Sequence, residues 1–340
     1  MAGSTKGATI LRRLRTVPLF LGGFLVATAA LPVLALVAVA VDATRRGRPW
    51  MATRLLFVLW LYLAVEAVCL AALAVSWLVS LGSRKRLAET AWGLQAWWAA
   101  VLMGAIRRAF GLRFEVEGSD EVPPGPIVVF MRHASIIDNL VPATFVAAPH
   151  GIRLRYVLKR ELLSDPAIDI AGNRLPNVFI ARGSDDAGRE IDRVRELTRG
   201  LGPGEGMLIY PEGTRFTEAK RARALEKLAS ADARLHAAAQ RLRHVLPPRL
   251  GGPLALLDAG ADVVICAHHG LDGFSHIANI WGGGLIGRTV RIRFTRFPHS
   301  EIPPGREQRI EWILARWQDV DDWIGAQAAA GATSCSRTRA

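Results

Sequence analysis

Two long apolar runs dominate the first quarter of the chain. Residues 17–41 and 55–81 are each long enough to cross the hydrocarbon core of a bilayer as a helix. Basic residues precede the first run, and the run is too long for the apolar core of a signal peptide. The pattern predicts a retained two-helix membrane anchor over residues 1–86. A pair of re-entrant or interfacial helices is the alternative.

The next segment has a different pattern. Residues 87–110 mix tryptophan and aliphatic side chains with a few polar ones and end near Arg107 and Arg108. Aromatic and basic side chains together are typical of the lipid headgroup level. We expect an amphipathic interfacial helix here, and a core helix of the following domain would fit the same pattern.

Beyond residue 110, short apolar runs alternate with turns and helical patterns. The runs that indicate buried strands occupy residues 127–130, 177–181, 207–210 and 263–267. Residues 217–244 have the composition of one long helix. This alternation predicts an α/β domain over residues 111–325, a mixed sheet flanked by helices behind the N-terminal anchor. Residues 326–340 are rich in Ala, Gly, Ser and Arg, and we expect a disordered tail.

Charge and cysteine content narrow the classes of partner. The chain has 43 Lys and Arg against 30 Asp and Glu, a net charge of +13. This excess suits an anionic partner such as a membrane surface or a phosphate-bearing substrate. The basic residues are dispersed and many flank the apolar runs, so we expect no nucleic-acid partner. His268 and His269 lie near Cys266, but no second cluster stands at a suitable spacing, so no metal site is predicted.

Candidate chemistry begins at the end of the strand predicted at residues 127–130. His133 comes just after this strand, and Asp138 stands five positions further on. Polar groups at the carboxyl ends of strands form the sites of many α/β proteins. Histidine carries protons near neutral pH, and a neighbouring carboxylate fixes its tautomer and stabilises its cation. We predict a base–carboxylate pair, although a single pattern of this kind also arises by chance.

A second polar turn follows the strand at residues 207–210. Gly213 permits close approach of the backbone to a ligand, and Thr214 adds a hydroxyl group. Arg215 offers a planar set of donors suited to phosphate oxygens. Glu212 is predicted either to orient Arg215 or to bind substrate. The turn therefore indicates a phosphate site, and an ordinary strand-to-helix turn with a solvated arginine is the alternative.

A third candidate segment follows the strand at residues 177–181. Arg182 and Gly183 stand between this strand and a predicted helix N-terminus, where anions bind. Alone, this position indicates little.

Together these segments resemble the glycerolipid acyltransferase family, in particular the lysophosphatidic acid (1-acylglycerol-3-phosphate) acyltransferases. Residues 133–138 match the family's first motif, residues 179–183 look like its second, and residues 210–215 match its third. Residues 216–249 are similar to the longer-chain branch, which includes lysophospholipid and lysocardiolipin acyltransferases. The strand at 263–269 has no proline, whereas the family's fourth motif often has one, so the acyl pocket and the acceptor stay open.

The resemblance implies transfer of a fatty acyl group from acyl-CoA or acyl-carrier protein to the hydroxyl of lysophosphatidic acid, giving phosphatidic acid. It implies that His133 is the general base and that Asp138 orients it. It also implies an acceptor site, with Arg182 and Arg215 on the phosphate, that comprises Arg182, Gly183, Glu212, Gly213, Thr214 and Arg215. No cofactor beyond the acyl donor is expected, and the catalytic domain is expected at the cytoplasmic face of the membrane. The alternatives are a remodelling acyltransferase or transacylase acting on another lysophospholipid, and a non-catalytic membrane lipid-binding protein.

Overall fold

The computed structural model describes residues 6–45, 50–181 and 187–337. The chain divides into two compact units. The first, which we call the helical unit, comprises Met1–Leu112, Leu158–Ser184 and Ile280–Gly287. The second, the sheet unit, comprises Arg113–Val157, Asp185–Asn279 and Arg288–Ala340.

The helical unit is built from the apolar N-terminal runs. Its main elements are α1 (Lys6–Thr44), α2 (Met51–Val79), α3 (Arg84–Phe110), α5 (Pro166–Gly172) and the short strand β4 (Val178–Ile180). Helices α1 and α2 are long and apolar enough to cross a membrane, which indicates membrane association. Ser83 caps the N-terminus of α3, because its side chain accepts a hydrogen bond from the Arg86 N–H, and Gly111 follows the last residue of α3 in the left-handed conformation.

Polar contacts inside the helical unit join helices that are distant in sequence. The buried carboxylate of Asp169 on α5 pairs with Arg12 at 2.9 Å and with Arg13 at 3.1 Å, both on α1. Trp98 Nε1 on α3 donates to Glu66 Oε1 on α2 at 2.8 Å. Helix α3 also packs against α2 and α5, so its buried face is a core face within this unit.

The sheet unit contains the predicted α/β architecture. Its strands are β1 (Arg113–Glu117), β2 (Ile127–Met131), β3 (Arg153–Lys159), β5 (Glu205–Ile209), β6 (Asp262–His269) and β7 (Thr289–Phe297). They lie in the order β1-β7-β6-β2-β5-β3. Its helices are α4 (Ala148–His150), α6 (Ala187–Glu196), α7 (Glu218–Ala231), α8 (Ala233–Arg241), α9 (Gly251–Leu257) and α11 (Arg306–Arg337), and α10 (Ile277–Ile280) ends at the boundary with the helical unit. The mixed sheet confirms the predicted fold class.

Strand β2 is the centre of this sheet. All five of its residues are buried, as expected for an apolar, β-branched run in a parallel sheet. It pairs in parallel with β5 on one side and β6 on the other, with Val128 opposite Met207 and Val263. The carboxyl ends of three neighbouring strands therefore meet at one edge of the sheet.

Two helical segments differ from the sequence prediction. Residues 217–244 do not form one helix, because Asp232 adopts an extended conformation between α7 and α8 and caps α8 by accepting from the Leu235 N–H at 2.9 Å. Helix α11 continues to Arg337, through most of the segment that the sequence predicted as disordered. The alanine-rich composition of that segment favours helix.

Helix α11 holds the segment that follows α8. The buried carboxylate of Asp321 accepts hydrogen bonds from the backbone N–H groups of Arg243, His244 and Val245 at 2.5–3.0 Å. The buried Trp317 donates from Nε1 to the Leu246 carbonyl at 3.0 Å. Residues 243–246 are thus fixed by side chains from a helix more than 70 positions away.

We predict that Asp321→Ala lowers the free energy of unfolding by about 2–4 kcal/mol. Three backbone N–H groups lose a charged acceptor, and alanine offers no replacement. Thermal unfolding of the purified protein in detergent measures the change.

The neighbouring Asp322 provides a matched control. It is exposed, and its side chain accepts only from Gln318 on the same helix among the described residues. Asp322→Ala should change the free energy of unfolding by no more than about 0.5 kcal/mol. Equal losses in the two variants would show that Asp321 has no special part in holding residues 243–246.

Candidate active site

The end of β2 places two charged side chains at the centre of the sheet unit. Arg132 and His133 directly follow Met131, the last residue of β2. Arg132 is fully buried, whereas His133 keeps 7% of its surface exposed. The imidazole is therefore in reach of a ligand, and the guanidinium is part of the interior.

Asp138 contacts His133, as the five-residue spacing predicted. Its Oδ2 lies 3.3 Å from His133 Nδ1. The same oxygen accepts the backbone N–H groups of Ala134 at 2.5 Å and Ser135 at 2.7 Å. The Asp138 carboxylate thus holds the loop of residues 133–138 in a closed turn. The catalytic roles of the pair stay a prediction.

The electrostatics keep Asp138 ionised. Full burial favours the neutral acid, but the His268 and His133 imidazoles and their hydrogen bonds outweigh burial and hold the pKa of Asp138 well below its ordinary value. An ionised carboxylate beside Nδ1 favours the tautomer with its proton on that nitrogen. The lone pair of His133 is then on Nε2, where a base needs it.

Tyr210 fixes the plane of the His133 ring. The two rings stack with centroids 4.3 Å apart and an interplanar angle of 29°. The Tyr210 hydroxyl donates to the backbone carbonyl of Asp138 at 3.2 Å. Tyr210, the first residue of the third motif, therefore contacts both His133 and Asp138 of the first motif.

Glu212 contacts backbone groups of two other segments. Its Oε1 accepts from the His133 N–H at 2.7 Å, and its Oε2 accepts from the Leu246 N–H at 2.9 Å. The sequence predicted that Glu212 orients Arg215 or binds substrate. With both oxygens engaged and only 2% of its surface exposed, its geometry favours a role in positioning His133 instead.

The turn after Glu212 presents the cation of Arg215, which interacts electrostatically with Asp138. Gly213 has φ +68°, a conformation that favours glycine. Lys220 Nζ donates to Thr214 Oγ1 at 3.1 Å and to the Arg215 carbonyl at 2.9 Å, which fixes the turn. The half-buried Arg215 guanidinium has no hydrogen bond or ion pair with any residue that the structure describes. Burial lowers the pKa of Arg215 from its ordinary value, and the group stays protonated at neutral pH.

A second guanidinium lies against this turn, at a position that the sequence left unassigned. The Arg249 N–H donates to the Pro211 carbonyl at 2.8 Å. A Cβ placed on Gly213 would lie 2.8 Å from Arg249 Cδ and 2.9 Å from its Nε. Arg249 is exposed, and its side chain is unpaired among the described residues. No local pattern in the sequence indicated that Arg249 lies against this turn.

The remaining predicted site residues, Arg182 and Gly183, lie outside the described residues. Their predicted part in binding phosphate stays a prediction. Among the residues that the structure describes, no cluster of three His, Cys, Asp or Glu side chains is placed to hold a metal ion.

Comparisons with known proteins find similarity to acyltransferases. Residues 113–264, which include His133, Asp138 and the turn at 210–215, match the family model for acyltransferases. Lysocardiolipin acyltransferase 1 of Mus musculus is 23% identical over 239 residues, which cover 67% of this chain and 61% of the mouse protein. The 1-acyl-sn-glycerol-3-phosphate acyltransferase of Pseudomonas aeruginosa is 30% identical over 119 residues, which cover 35% of this chain and 44% of that protein.

A solved structure has the same fold. It is the 1-acyl-sn-glycerophosphate (LPA) acyltransferase PlsC of Thermotoga maritima, with a TM-score of 0.50 and 17% identity, covering 78% of this chain and 96% of the other. The chain spans about 60% of the length of the first curated relatives that it matches.

We predict that ionisation of Glu212 makes the stability of the protein fall between pH 4.5 and pH 7. Burial raises the pKa of Glu212 from 4.5 to about 7, against the opposing effects of Arg132 and the two backbone hydrogen bonds. Over this range the unfolded chain has lost the proton that the folded protein still holds, so the contribution of Glu212 is full below pH 4.5 and is lost as the pH rises to 7. The size of the effect is about 3 kcal/mol.

The measurement is thermal unfolding of the wild type and of Glu212→Gln across this pH range. Glutamine does not titrate, so the stability of the wild type relative to the variant should fall as the pH rises and level off above pH 7. Glu226→Gln on the exposed face of α7 should show no such dependence. A difference between wild type and Glu212→Gln that stays constant with pH would contradict the raised pKa.

Proposed function

We propose that this chain, whose residues 113–264 match the acyltransferase family model, is a glycerolipid acyltransferase that transfers a fatty acyl group to the hydroxyl of a lysophospholipid. The observation that carries the proposal is the His133–Asp138 contact near the Arg215 guanidinium, which has no hydrogen bond or ion pair among the described residues. A proton acceptor next to an anion site suits an acceptor that carries both a hydroxyl and a phosphate.

In the proposed reaction, the acceptor hydroxyl attacks the carbonyl carbon of a thioester. His133 Nε2 removes the hydroxyl proton as the new C–O bond forms, and Asp138 stabilises the resulting imidazolium. The tetrahedral intermediate then collapses, the C–S bond breaks, and the proton passes from His133 to the departing thiolate. The acceptor hydroxyl is the nucleophile, so no covalent acyl-enzyme is needed.

The acceptor phosphate is assigned to the turn at residues 213–215. The Arg215 guanidinium supplies paired donors, Thr214 adds a hydroxyl, and Gly213 lets the backbone approach. Arg182 and Gly183 are assigned to the same site, as the family resemblance implies. Positioning of the acceptor by this turn brings its hydroxyl to His133, whose backbone N–H is bound by Glu212.

We assign lysophosphatidic acid as the acceptor, with phosphatidic acid as the product. The name of the Pseudomonas relative supports this acceptor. The name of the mouse relative supports a second candidate, remodelling of a larger lysophospholipid such as lysocardiolipin. Both candidate acceptors, lysophosphatidic acid and the larger lysophospholipid, carry a phosphate near the acceptor hydroxyl. A non-catalytic lipid-binding role would leave the His133–Asp138 contact without a use.

The donor is assigned as acyl-CoA or acyl-carrier protein, with no further cofactor. The acceptor and product are lipids, which suits a protein with two helices able to enter a membrane. We propose that α1 and α2 form a hairpin that keeps the catalytic domain at the cytoplasmic face. Nucleic acid has no part in this function.

We predict that His133→Ala lowers the rate of acyl transfer by about 10²–10⁴-fold because the base is lost. The assay uses labelled oleoyl-CoA with lysophosphatidic acid, other lysophospholipids and glycerol-3-phosphate as acceptors, and acyl-carrier protein as the second donor. His236→Ala, at a half-buried position of α8 outside the proposed site, is the matched control and should keep wild-type activity. Near wild-type turnover by a folded His133→Ala variant would refute the mechanism.

We predict that Arg215→Ala raises the KM for the acceptor about 10- to 100-fold, because a charge-assisted contact to phosphate is lost. The kcat and the KM for the donor should change much less. Arg215→Lys should recover part of the affinity, because lysine keeps the charge but not the planar pair of donors. Arg249→Ala in the same assay should give a smaller increase, since that side chain is exposed.

The control for the arginine variants is Arg243→Ala, an exposed side chain that is unpaired among the described residues. It should leave acceptor dependence unchanged. If Arg215→Ala also left acceptor dependence unchanged, the phosphate assignment would be wrong even though transfer itself persisted.

A further inference from the structure

We propose that His268 is a positioning residue for the His133–Asp138 pair. The activity test of this inference rests on the proposed function. Its ring joins the Asp138 carboxylate to the backbone carbonyl of Arg132. These two groups flank the loop that carries His133, so the ring holds both ends of that loop.

The contacts of His268 define its role. The residue is near the end of β6 and is fully buried. Its Nε2 lies 3.5 Å from Asp138 Oδ2 and 3.1 Å from the Arg132 carbonyl oxygen. Both neighbours are acceptors, so Nε2 must carry a proton. Its Nδ1 is buried and has no hydrogen-bond partner among the described residues, so Nε2 alone orients the ring through hydrogen bonds.

Arg132 in turn binds the backbone of His268. Its Nη1 donates to the His268 carbonyl at 2.7 Å, so each residue binds the backbone of the other. Its Nη2 donates to the His244 carbonyl at 2.8 Å and forms an ion pair with Asp272. This reciprocal pair fixes the end of β2 against the end of β6.

As a consequence, a single oxygen of Asp138, Oδ2, contacts several donors. Oδ2 meets His268, His133 and two backbone N–H groups, whereas Oδ1 is buried without a partner in the described part of the chain. The negative charge that Asp138 offers to His133 is therefore shared. Without the His268 donor, the carboxylate would stabilise the His133 imidazolium more strongly, and a higher pH would be needed to deprotonate the base.

Other charged or titratable groups surround Asp138 and His268. They are His133 and Arg132 after β2, Tyr210, Glu212 and Arg215 after β5, Cys266 and His269 on β6, and Asp272 beyond it. Among the described residues, His268 is the side chain that bonds both Asp138 and the Arg132 carbonyl.

The test compares His268→Gln with His268→Asn, two neutral amides that differ by one methylene. The glutamine amide nitrogen can occupy the position of Nε2 and keep the donor, whereas the shorter asparagine reaches only the position of Nδ1. We expect His268→Gln to keep kcat within about threefold of wild type. His268→Asn should lose about 10- to 100-fold in kcat with both KM values nearly unchanged.

The pH profile separates a positioning role from a general structural one. In His268→Asn the acid limb of the kcat profile should move to higher pH by about 0.5 unit or more. His269→Asn, the neighbouring residue that pairs with Asp272 at 3.3 Å, is the matched control and should show neither change.

A readout without turnover keeps this proposal distinct from the proposed reaction. The pH dependence of His133 modification by diethyl pyrocarbonate, followed by peptide mass spectrometry, reports protonation of that ring directly. Half-maximal modification should move to higher pH in His268→Asn and stay at the wild-type value in His268→Gln. This shift would support the role of His268 even if no acceptor gave transfer, in which case the proposed reaction alone would fail.

Several outcomes would overturn the proposal. A folded His268→Asn variant with wild-type kcat and an unshifted modification profile would do so, and so would equal losses in the asparagine and glutamine variants. A loss of activity that is the same at every pH, or failure of His268→Asn to fold, would assign His268 a purely structural role instead.

Discussion

The sheet unit depends on one buried negative charge. A carboxylate removed from water costs several kcal/mol unless donors surround it. Around Asp138 those donors come from the loop itself, from His133 and from a neighbouring strand. The loop after β2 adopts a conformation in which these donors converge on the Asp138 carboxylate. The requirement that orders the loop also orients the imidazole that the proposed reaction uses.

The same principle extends outward through two more buried carboxylates. Glu212 binds backbone N–H groups of His133 and Leu246, and Asp321 binds those of residues 243–245. Glu212 therefore joins the loop after β2 to the segment at residues 243–246, and Asp321 joins that segment to helix α11. Because backbone groups are the partners, the segments are fixed in position whatever their own side chains are. Glu212 and Asp321 hold the segments beside the turn at 213–215, which is the proposed site of the acceptor phosphate.

Much of this arrangement could be predicted from local sequence. The apolar run of β2, the helical length of α1 and α2, and the spacing of His133 and Asp138 each follow from residues close together in the chain. The partners of Glu212 could not be predicted, because Leu246 lies 34 positions away and no local pattern selects a backbone N–H. His268 was considered only as half of a metal pair. The break between α7 and α8 at Asp232 was not predicted, because the residues on both sides of it have high helix propensity and a single aspartate is a weak signal of a cap.

The division of the chain into units bears on how the protein can be handled. Residues 158–184 and 280–287 belong to the helical unit although they are far along the sequence. Helix α5 packs on α1, α2 and α3, and its Asp169 is neutralised by arginines near the N-terminus. Cutting the chain before residue 113 would leave these insertions with their apolar and charged faces uncovered. The N-terminal helices are therefore a folding partner of the later chain, and a soluble fragment prepared by simple truncation should aggregate rather than retain the native packing.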